Sequence, residues 1–216
     1  MLRKLTMACA SLLGLAALIV LPAAASASPV MTTSAGTVAP VGTTYKGITI
    51  GPTIMTTGAG NIQCSTGTNS GVLTKNNGTV IEGEIKTLEL GGTGAGGDCT
   101  SFLGDFKVTT TAGNGVPYCM RTTKTADQME IRGGACGSAA RPITYLMDVT
   151  AGFTCAYQRE APIFATFTTY PNDATATQSE VEFKLESGSF ICPSVVKLDA
   201  SMTLIETASG QPAYVS

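Results

Sequence analysis

The stretch GTVIEGEIKTLEL, from Gly78 to Leu90, alternates apolar and charged side chains. Successive side chains of a β-strand point to opposite faces, so the alternation separates two sets of residues. The polar face holds Glu82, Glu84 and Lys86. The other face holds Ile81, Gly83 and Ile85. One wet face and one dry face are typical of an antiparallel sheet that covers a core on one side.

A second stretch repeats this pattern. TQSEVEFK (Thr177 to Lys184) places Thr, Glu, Glu and Lys at the same offsets as TVIEGEIK (Thr79 to Lys86). Cysteines bracket both stretches, with Cys64 and Cys99 around the first and Cys155 and Cys192 around the second. A fixed-period repeat of this kind indicates a tandem duplication. Chance similarity between two Thr- and Gly-rich stretches is the alternative.

The rest of the chain also favours strands. From Tyr45 onward, short segments rich in Val, Ile, Thr, Tyr and Phe are separated by Gly, Asn and Pro. No segment has an apolar period of 3.6 residues over three turns. We therefore predict an all-β fold, an antiparallel β-sandwich or a barrel-like fold, with the sandwich favoured. Its two tandem pseudo-repeats, residues 45–135 and 136–216, are predicted to share one core.

The beginning of the chain has the pattern of a secretory signal peptide. Arg3 and Lys4 precede an apolar run from Leu12 to Leu21, and Ala25 to Ala27 form a small-residue cleavage site. A membrane anchor is the alternative, but Pro22 and the Ala/Ser residues after it interrupt the run. We expect cleavage after Ala27 and a secreted, extracellular product with no membrane span. Residues 28–44, which hold no charged and no aromatic residue, are predicted to be a flexible leader, with a single edge strand as the alternative.

Six of the seven cysteines remain after the signal peptide is removed, and an even number in an exported chain indicates disulfides. If each repeat carries its own bridge, two pairs follow, and the remaining two cysteines form the third pair. The predicted disulfides are Cys64–Cys99, Cys119–Cys136 and Cys155–Cys192. A zinc site is the alternative. The chain has no His and no C-x-x-C, which disfavours it.

Composition restricts the possible chemistry. The absence of His removes the usual Ser-His and Cys-His nucleophile systems, and oxidised cysteines cannot act as thiolates. The net charge of −2 and the lack of clustered Lys and Arg disfavour a nucleic-acid partner. We assign no residue to catalysis, to a cofactor or to a metal ion, and predict that the protein is not an enzyme.

Two carboxylate pairs are the remaining candidates for catalysis. Glu82 with Glu84, and Glu180 with Glu182, lie two residues apart, at a spacing compatible with the paired carboxylates of a glycoside hydrolase. A solvated strand face, with Lys86 or Lys184 as a local counter-charge, is the favoured explanation.

The cysteine bracket from Cys64 to Cys99 and the final residues TLIETASGQPAYVS resemble those of uncharacterised secreted proteins of actinobacteria. Those proteins are disulfide-bridged and all-β. The resemblance implies an exported β protein and transfers no functional residues.

The sequence therefore predicts a secreted, non-enzymatic binding or structural module of the extracellular space or cell envelope. Its partner is unknown; a cell-envelope component or an extracellular protein is possible. The alternative is a carrier of a small apolar ligand held between β layers. A pocket lined by residues such as Phe183, Met202 and Leu204 would distinguish that alternative. A carboxylate-dependent hydrolase is less favoured.

Overall fold

The structure, a computed structural model, describes Val30 to Val215 apart from residues 34–35, 92–98, 102–105, 111–114, 123–127, 150–151 and 168–174. The predicted signal peptide and its cleavage site lie outside the described residues. Sixteen β-strands and no helix make up the regular structure of the described part, which confirms the all-β prediction. The strands are β1 (Met31–Thr33), β2 (Thr44–Thr49), β3 (Thr53–Thr57), β4 (Gly60–Cys64), β5 (Gly67–Asn76), β6 (Ile81–Leu90), β7 (Cys99–Thr100), β8 (Phe106–Thr110), β9 (Tyr118–Thr122), β10 (Gln128–Gly133), β11 (Ile143–Val149), β12 (Phe153–Arg159), β13 (Ile163–Phe167), β14 (Thr175–Gly188), β15 (Val195–Glu206) and β16 (Ala213–Val215).

The strands β2 to β15 form one closed, eight-stranded antiparallel barrel. Most of the eight wall strands consist of two consecutive shorter strands that lie end to end. For example, β2 and β3 follow one another along β15, and β12 and β13 follow one another along β14. In chain order the eight wall strands are β2–β3, β4–β5, β6–β7, β8–β9, β10–β11, β12–β13, β14 and β15. Each pairs with the one before it, so the wall is an up-and-down meander.

The barrel closes where the last wall strand meets the first. Glu206 of β15 lies opposite Tyr45 of β2, and Val196 lies opposite Thr57 of β3. Of the two predicted architectures the barrel forms, and the sandwich does not. The reason is that β15 is long enough, at 12 residues, to pair with β14 along one side and with both β2 and β3 along the other.

The inward face of the wall is apolar, as the alternation predicts. In β14, Val181 and Phe183 are buried, whereas Glu180 and Lys184 are exposed. In β6 the buried face is that of Ile81, Gly83 and Ile85.

Two clusters of buried side chains fill the two ends of the barrel. The larger contains the disulfides Cys64–Cys99 and Cys155–Cys192, and we call its location the disulfide end. The smaller contains Met31 and Val215, and we call its location the terminal end. Each cluster draws on both predicted repeats, so the two regions contribute to one barrel and to both parts of its core.

The segment predicted to be a flexible leader or an edge strand contains the short strand β1. β1 pairs with β16, Met31 opposite Val215, and the two strands form a terminal cap over the smaller cluster. The Asn76 side chain accepts a hydrogen bond from the Met31 N–H (2.9 Å) and donates to the carbonyls of Met31 (2.9 Å) and Ala39 (2.8 Å). The sequence of this segment does not identify its partner strand, because β16 lies at the opposite end of the chain.

Among the described residues there are three disulfides. Cys64–Cys99 and Cys155–Cys192 are the pairs that the repeat predicts, and Cys119–Cys136 joins the two cysteines that remain. Cys119–Cys136 fastens the segment between β10 and β11 to the outside of the barrel, where the Cys136 N–H donates to Glu84 Oε1 (2.9 Å). Three disulfides are typical of extracellular proteins. Within the described residues, no helix has the length and hydrophobicity that crossing a membrane requires.

Positions matched by the predicted duplication lie four wall strands apart. Cys64 is on the second wall strand and Cys155 on the sixth. Glu82 is on the third and Glu180 on the seventh. A repeat unit of four strands predicts this spacing. The duplication itself stays a prediction.

Candidate functional site

A cavity lies in the middle of the barrel, between the two core clusters. Its lining includes Phe183 and Leu198 from the cluster at the disulfide end and Phe167 and Leu204 from the cluster at the terminal end. About 100 Å³ of it is open to the centre of a water-sized sphere. A single water molecule needs only about 10–15 Å³ on that measure. The cavity is therefore large enough for a small organic molecule.

Several inward-facing side chains are incompletely covered because they border this cavity. In β15, Ala200 and Leu204 are buried, whereas Met202 between them is half-buried although it points the same way. The other half-buried apolar residues of the lining include Leu88, Met120 and Ile131. Protein interiors are normally packed as densely as organic crystals. A ring of half-covered apolar side chains inside the barrel is therefore a feature that packing alone does not explain.

The lining is uncharged. Among the described residues, no Lys, Arg, Asp or Glu contributes to it. Its polar members are Asn69, Tyr118, Tyr145, Thr177 and Gln178. A charged molecule entering this space would lose its hydration without gaining a counter-charge. The cavity therefore suits a neutral, mainly apolar occupant.

Asn69 is held by bonds within the protein. Its Oδ1 accepts a hydrogen bond from the Gly47 N–H (3.1 Å), and its Nδ2 lies 3.2 Å from the sulfur of Met202. A Cβ on residue 47 would lie 2.6 Å from the Asn69 amide, so only glycine leaves room for this arrangement. The amide is thus fixed against the wall at one side of the cavity.

Two further polar residues of the lining also have partners. The Tyr118 hydroxyl donates to the carbonyl oxygen of Thr144. Gly115 makes room for that contact, because a Cβ there would lie 2.4 Å from the same carbonyl oxygen. The Thr177 hydroxyl lies 3.2 Å from that of Ser201 and is within hydrogen-bond distance.

Tyr145, on β11, differs from them. The residue is 5% exposed, and its buried hydroxyl has no hydrogen-bond partner in the described structure. Its ring stacks on that of Tyr157, with centroids 5.2 Å apart, and meets the ring of Phe183 edge-on at 4.9 Å. Burial raises the pKa of Tyr145 well above its usual value, so the group is a neutral phenol that can donate a hydrogen bond.

The predicted carboxylate pairs lie on the outside of the barrel, away from the cavity. Glu84 accepts hydrogen bonds from the Lys86 ammonium and from the Cys136 N–H. The Lys86 contact is the main cause that lowers the pKa of Glu84, so Lys86 is the counter-charge that the sequence suggests. A general acid needs a raised pKa, which Glu84 does not have. Glu82 lies 3.6 Å from the Arg121 Nε on the same outer face.

The second carboxylate pair is likewise on the outer face of the wall. Glu180 is exposed, and its backbone N–H donates to the Asp199 carboxylate (2.7 Å). Glu182 is half-buried on the same face. In the part of the chain that the structure describes, no group of three or more Cys, Asp or Glu side chains is placed to hold a metal ion.

Comparison of the chain with protein-family models, with curated proteins and with solved structures finds no match. The geometry of the barrel therefore carries the functional argument alone.

Sequence reasoning named Phe183, Met202 and Leu204 as the residues that would line a carrier's pocket, and all three line this cavity. It missed Tyr145. The segment ITYLMDV does alternate, and its Ile143, Tyr145 and Met147 are buried on one face. That signal places Tyr145 inside, but nothing in it indicates that the residue lines a cavity or that its hydroxyl lacks a partner in the described structure.

Proposed function

We propose that the protein is a secreted binding protein that carries one small, neutral, mainly apolar molecule at the centre of its barrel. The observation that supports this most strongly is the uncharged cavity between two packed core clusters, lined by Phe183, Met202 and Leu204. Transfer of apolar surface from water into such a site is favourable by about 25 cal/mol per Å².

The closed wall suits a carrier. Both ends of the barrel are packed, one by the cluster around the two disulfides and the other by the terminal cap. Small-molecule sites are typically concave and apolar, with few polar groups, and the mouths of β-barrels are among their common locations.

Secretion is part of the proposal. The predicted signal peptide, with cleavage after Ala27, would deliver the chain to an oxidising compartment. The three disulfides are consistent with that destination, because such bonds form and persist outside the reducing cytosol.

The alternative, a cell-envelope binding or structural module, has weaker support. Binding by strand addition requires an open sheet edge. Each wall strand of the barrel has neighbours on both sides. The exposed large apolar residues are spread along the described chain, from Val38 to Ile191, and include the adjacent pair Phe190 and Ile191.

The proposal can be tested by NMR of the mature protein labelled with ¹³C at the methionine methyl groups. Toluene, a neutral apolar probe, is titrated into the sample. We expect shifts of the Met120 and Met202 methyl signals, because these side chains line the cavity. Met147 is an internal control, since it is fully buried in the cluster at the disulfide end and does not line the cavity.

Saturable shifts confined to the lining methionines would support the proposal. Absence of a shift at Met120 and Met202 up to the solubility of toluene would refute it. Equal shifts at all methionines, Met147 included, would mean that toluene disturbs the fold rather than occupying the cavity.

A further inference from the structure

The Tyr145 hydroxyl is a buried polar group without a hydrogen-bond partner in the described structure, and it belongs to a residue that lines the cavity. Of the buried side-chain polar atoms that lack a partner in the described structure, it is the one that belongs to a residue of the cavity lining. A buried hydroxyl without a partner costs about 1–3 kcal/mol relative to one that is bonded. Buried polar groups in native proteins are seldom left in this state.

Other polar residues of the lining are already engaged. Asn69 is bonded to Gly47 and contacts Met202, and Tyr118 is bonded to the Thr144 carbonyl. Gln178 is half-buried, so its amide has access to solvent. Tyr145 is therefore the residue of the lining whose buried hydroxyl has an unmet hydrogen bond for an occupant to supply.

The ring of Tyr145 is fixed in place, which makes its hydroxyl a defined anchor. Tyr157 stacks on one side of it, and Phe183 contacts it edge-on. Aromatic pairs of these geometries are favourable. A rigid donor in an apolar, uncharged surrounding selects for a ligand atom at one position and rejects molecules that cannot place an acceptor there.

We propose that the Tyr145 hydroxyl donates a hydrogen bond to a single uncharged oxygen of the bound molecule. This inference rests on the proposed function and specifies its ligand class. The ligand is a compact apolar molecule that carries one neutral oxygen acceptor, such as a ketone. Carboxylates and amines are excluded as ligands, because the described lining offers a charge no counter-charge.

The test compares acetophenone with α-methylstyrene, which has the same shape but a CH₂ group in place of the carbonyl oxygen. Their affinities are measured by NMR titration for the mature wild-type protein, for Tyr145→Phe and for Tyr157→Phe. Tyr157→Phe is the matched control, because its hydroxyl donates to the Pro193 carbonyl and Tyr157 does not line the cavity.

We expect the affinity ratio of acetophenone to α-methylstyrene to fall about three- to tenfold in Tyr145→Phe and to stay unchanged in Tyr157→Phe. An independent measurement needs no variant. The infrared carbonyl stretch of acetophenone bound to the wild-type protein should lie at lower frequency than in hexane, as hydrogen bonding requires.

The outcomes separate the two claims. If neither probe binds the wild-type protein, the carrier function itself fails. If both bind, but the affinity ratio is the same in Tyr145→Phe and the carbonyl stretch matches that in hexane, the cavity is a ligand site and the role of Tyr145 is wrong. The same result is expected if a water molecule, rather than the ligand, satisfies the hydroxyl.

Discussion

The rings of Tyr145 and Tyr157 stack with their centroids 5.2 Å apart and their planes inclined by 22°, yet only the Tyr157 hydroxyl has a hydrogen-bond partner. Both side chains are buried, and both belong to the cluster at the disulfide end. The pair therefore separates two effects that usually occur together, the packing of a tyrosine ring and the bonding of its hydroxyl.

Removal of each of the two hydroxyls should affect the free energy of unfolding differently. Tyr157→Phe leaves the Pro193 carbonyl without its donor at 3.0 Å and should lower the free energy of unfolding by about 1 kcal/mol. Tyr145→Phe removes an unpaired group and should change it by less than about 0.5 kcal/mol, or raise it. Urea unfolding of the ligand-free proteins measures both. A larger loss in Tyr145→Phe would mean that its hydroxyl is bonded in the empty protein.

Stability should fall at high pH because of buried tyrosines. Burial raises the pKa of Tyr157 from its usual value of 10.0 to about 12 and raises that of Tyr145 well above 10.0. A group whose pKa is higher in the folded than in the unfolded state stabilises fully below the unfolded value and loses this contribution as pH rises through the folded value.

We therefore expect a constant contribution from these tyrosines below about pH 10 and a decline between about pH 10 and 12. Urea unfolding across this range, combined with tyrosinate absorbance, provides the measurement. If Tyr145 and Tyr157 both ionise near pH 10 while the protein remains folded, the burial described for them is wrong.

The sequence predicts much of the wall, because local alternation decides which face of a strand is buried. Val181 and Phe183 point inward and Glu180 and Lys184 outward, as the pattern requires. The repeat also gave the disulfide pairs, since Cys64 and Cys99 bracket one Glu-rich strand and Cys155 and Cys192 bracket the other. These features depend on residues that are close in the sequence or on a pattern that recurs.

Features that depend on distant pairing were not accessible to the same reasoning. The choice of a barrel over a sandwich rests on β15 meeting β2 and β3, and the order of Met31 rests on Val215. The cavity depends on the radius of the closed wall and on which side chains fail to meet across it. The local sequence around Met202 or Tyr145 does not indicate how far these side chains are from the opposite side of the barrel.

The terminal cap should become less stable when the Asn76 side-chain hydrogen bonds to it are removed. Asn76→Ala deletes one acceptor and two donated hydrogen bonds that hold Met31 and Ala39. We expect hydrogen exchange of the Met31 and Ala39 amides to accelerate at least about tenfold, which corresponds to a loss of about 1.4 kcal/mol of local stability. Asn61→Ala, on the exposed side of β4, is the control and should leave these amides unchanged. Unchanged exchange of the Met31 and Ala39 amides in Asn76→Ala would contradict a stabilising role for these hydrogen bonds.

The three disulfides should differ in their contribution to stability. In the chain-entropy model, the bond Cys155–Cys192, with a sequence separation of 37, stabilises by about 4 kcal/mol, and Cys119–Cys136, with a separation of 17, by about 3 kcal/mol. Replacement of both cysteines of a pair by Ala should reduce the free energy of unfolding in that order. Urea unfolding of the two double variants checks it, and a larger loss for the outer bond, Cys119–Cys136, would argue against the entropic explanation.

Filling the cavity should abolish binding without harming the fold. Ala200→Leu adds apolar volume to the lining, where free space exists, and should keep or slightly raise the free energy of unfolding while weakening toluene binding at least about tenfold. Ala156→Leu, on the outward face of β12, is the control and should bind toluene like the wild type. Undiminished binding in Ala200→Leu would place the toluene site elsewhere.

The pairing of β15 with β2 and β3 determines when the barrel can close during synthesis. The residues that close the ring, Tyr45 and Glu206 among them, lie near the two ends of the part of the chain that the structure describes. A chain emerging from a ribosome or from an export channel remains an open strip until its last wall strand is released. Release of this last wall strand, rather than any earlier step, is therefore what closes the interior of the barrel.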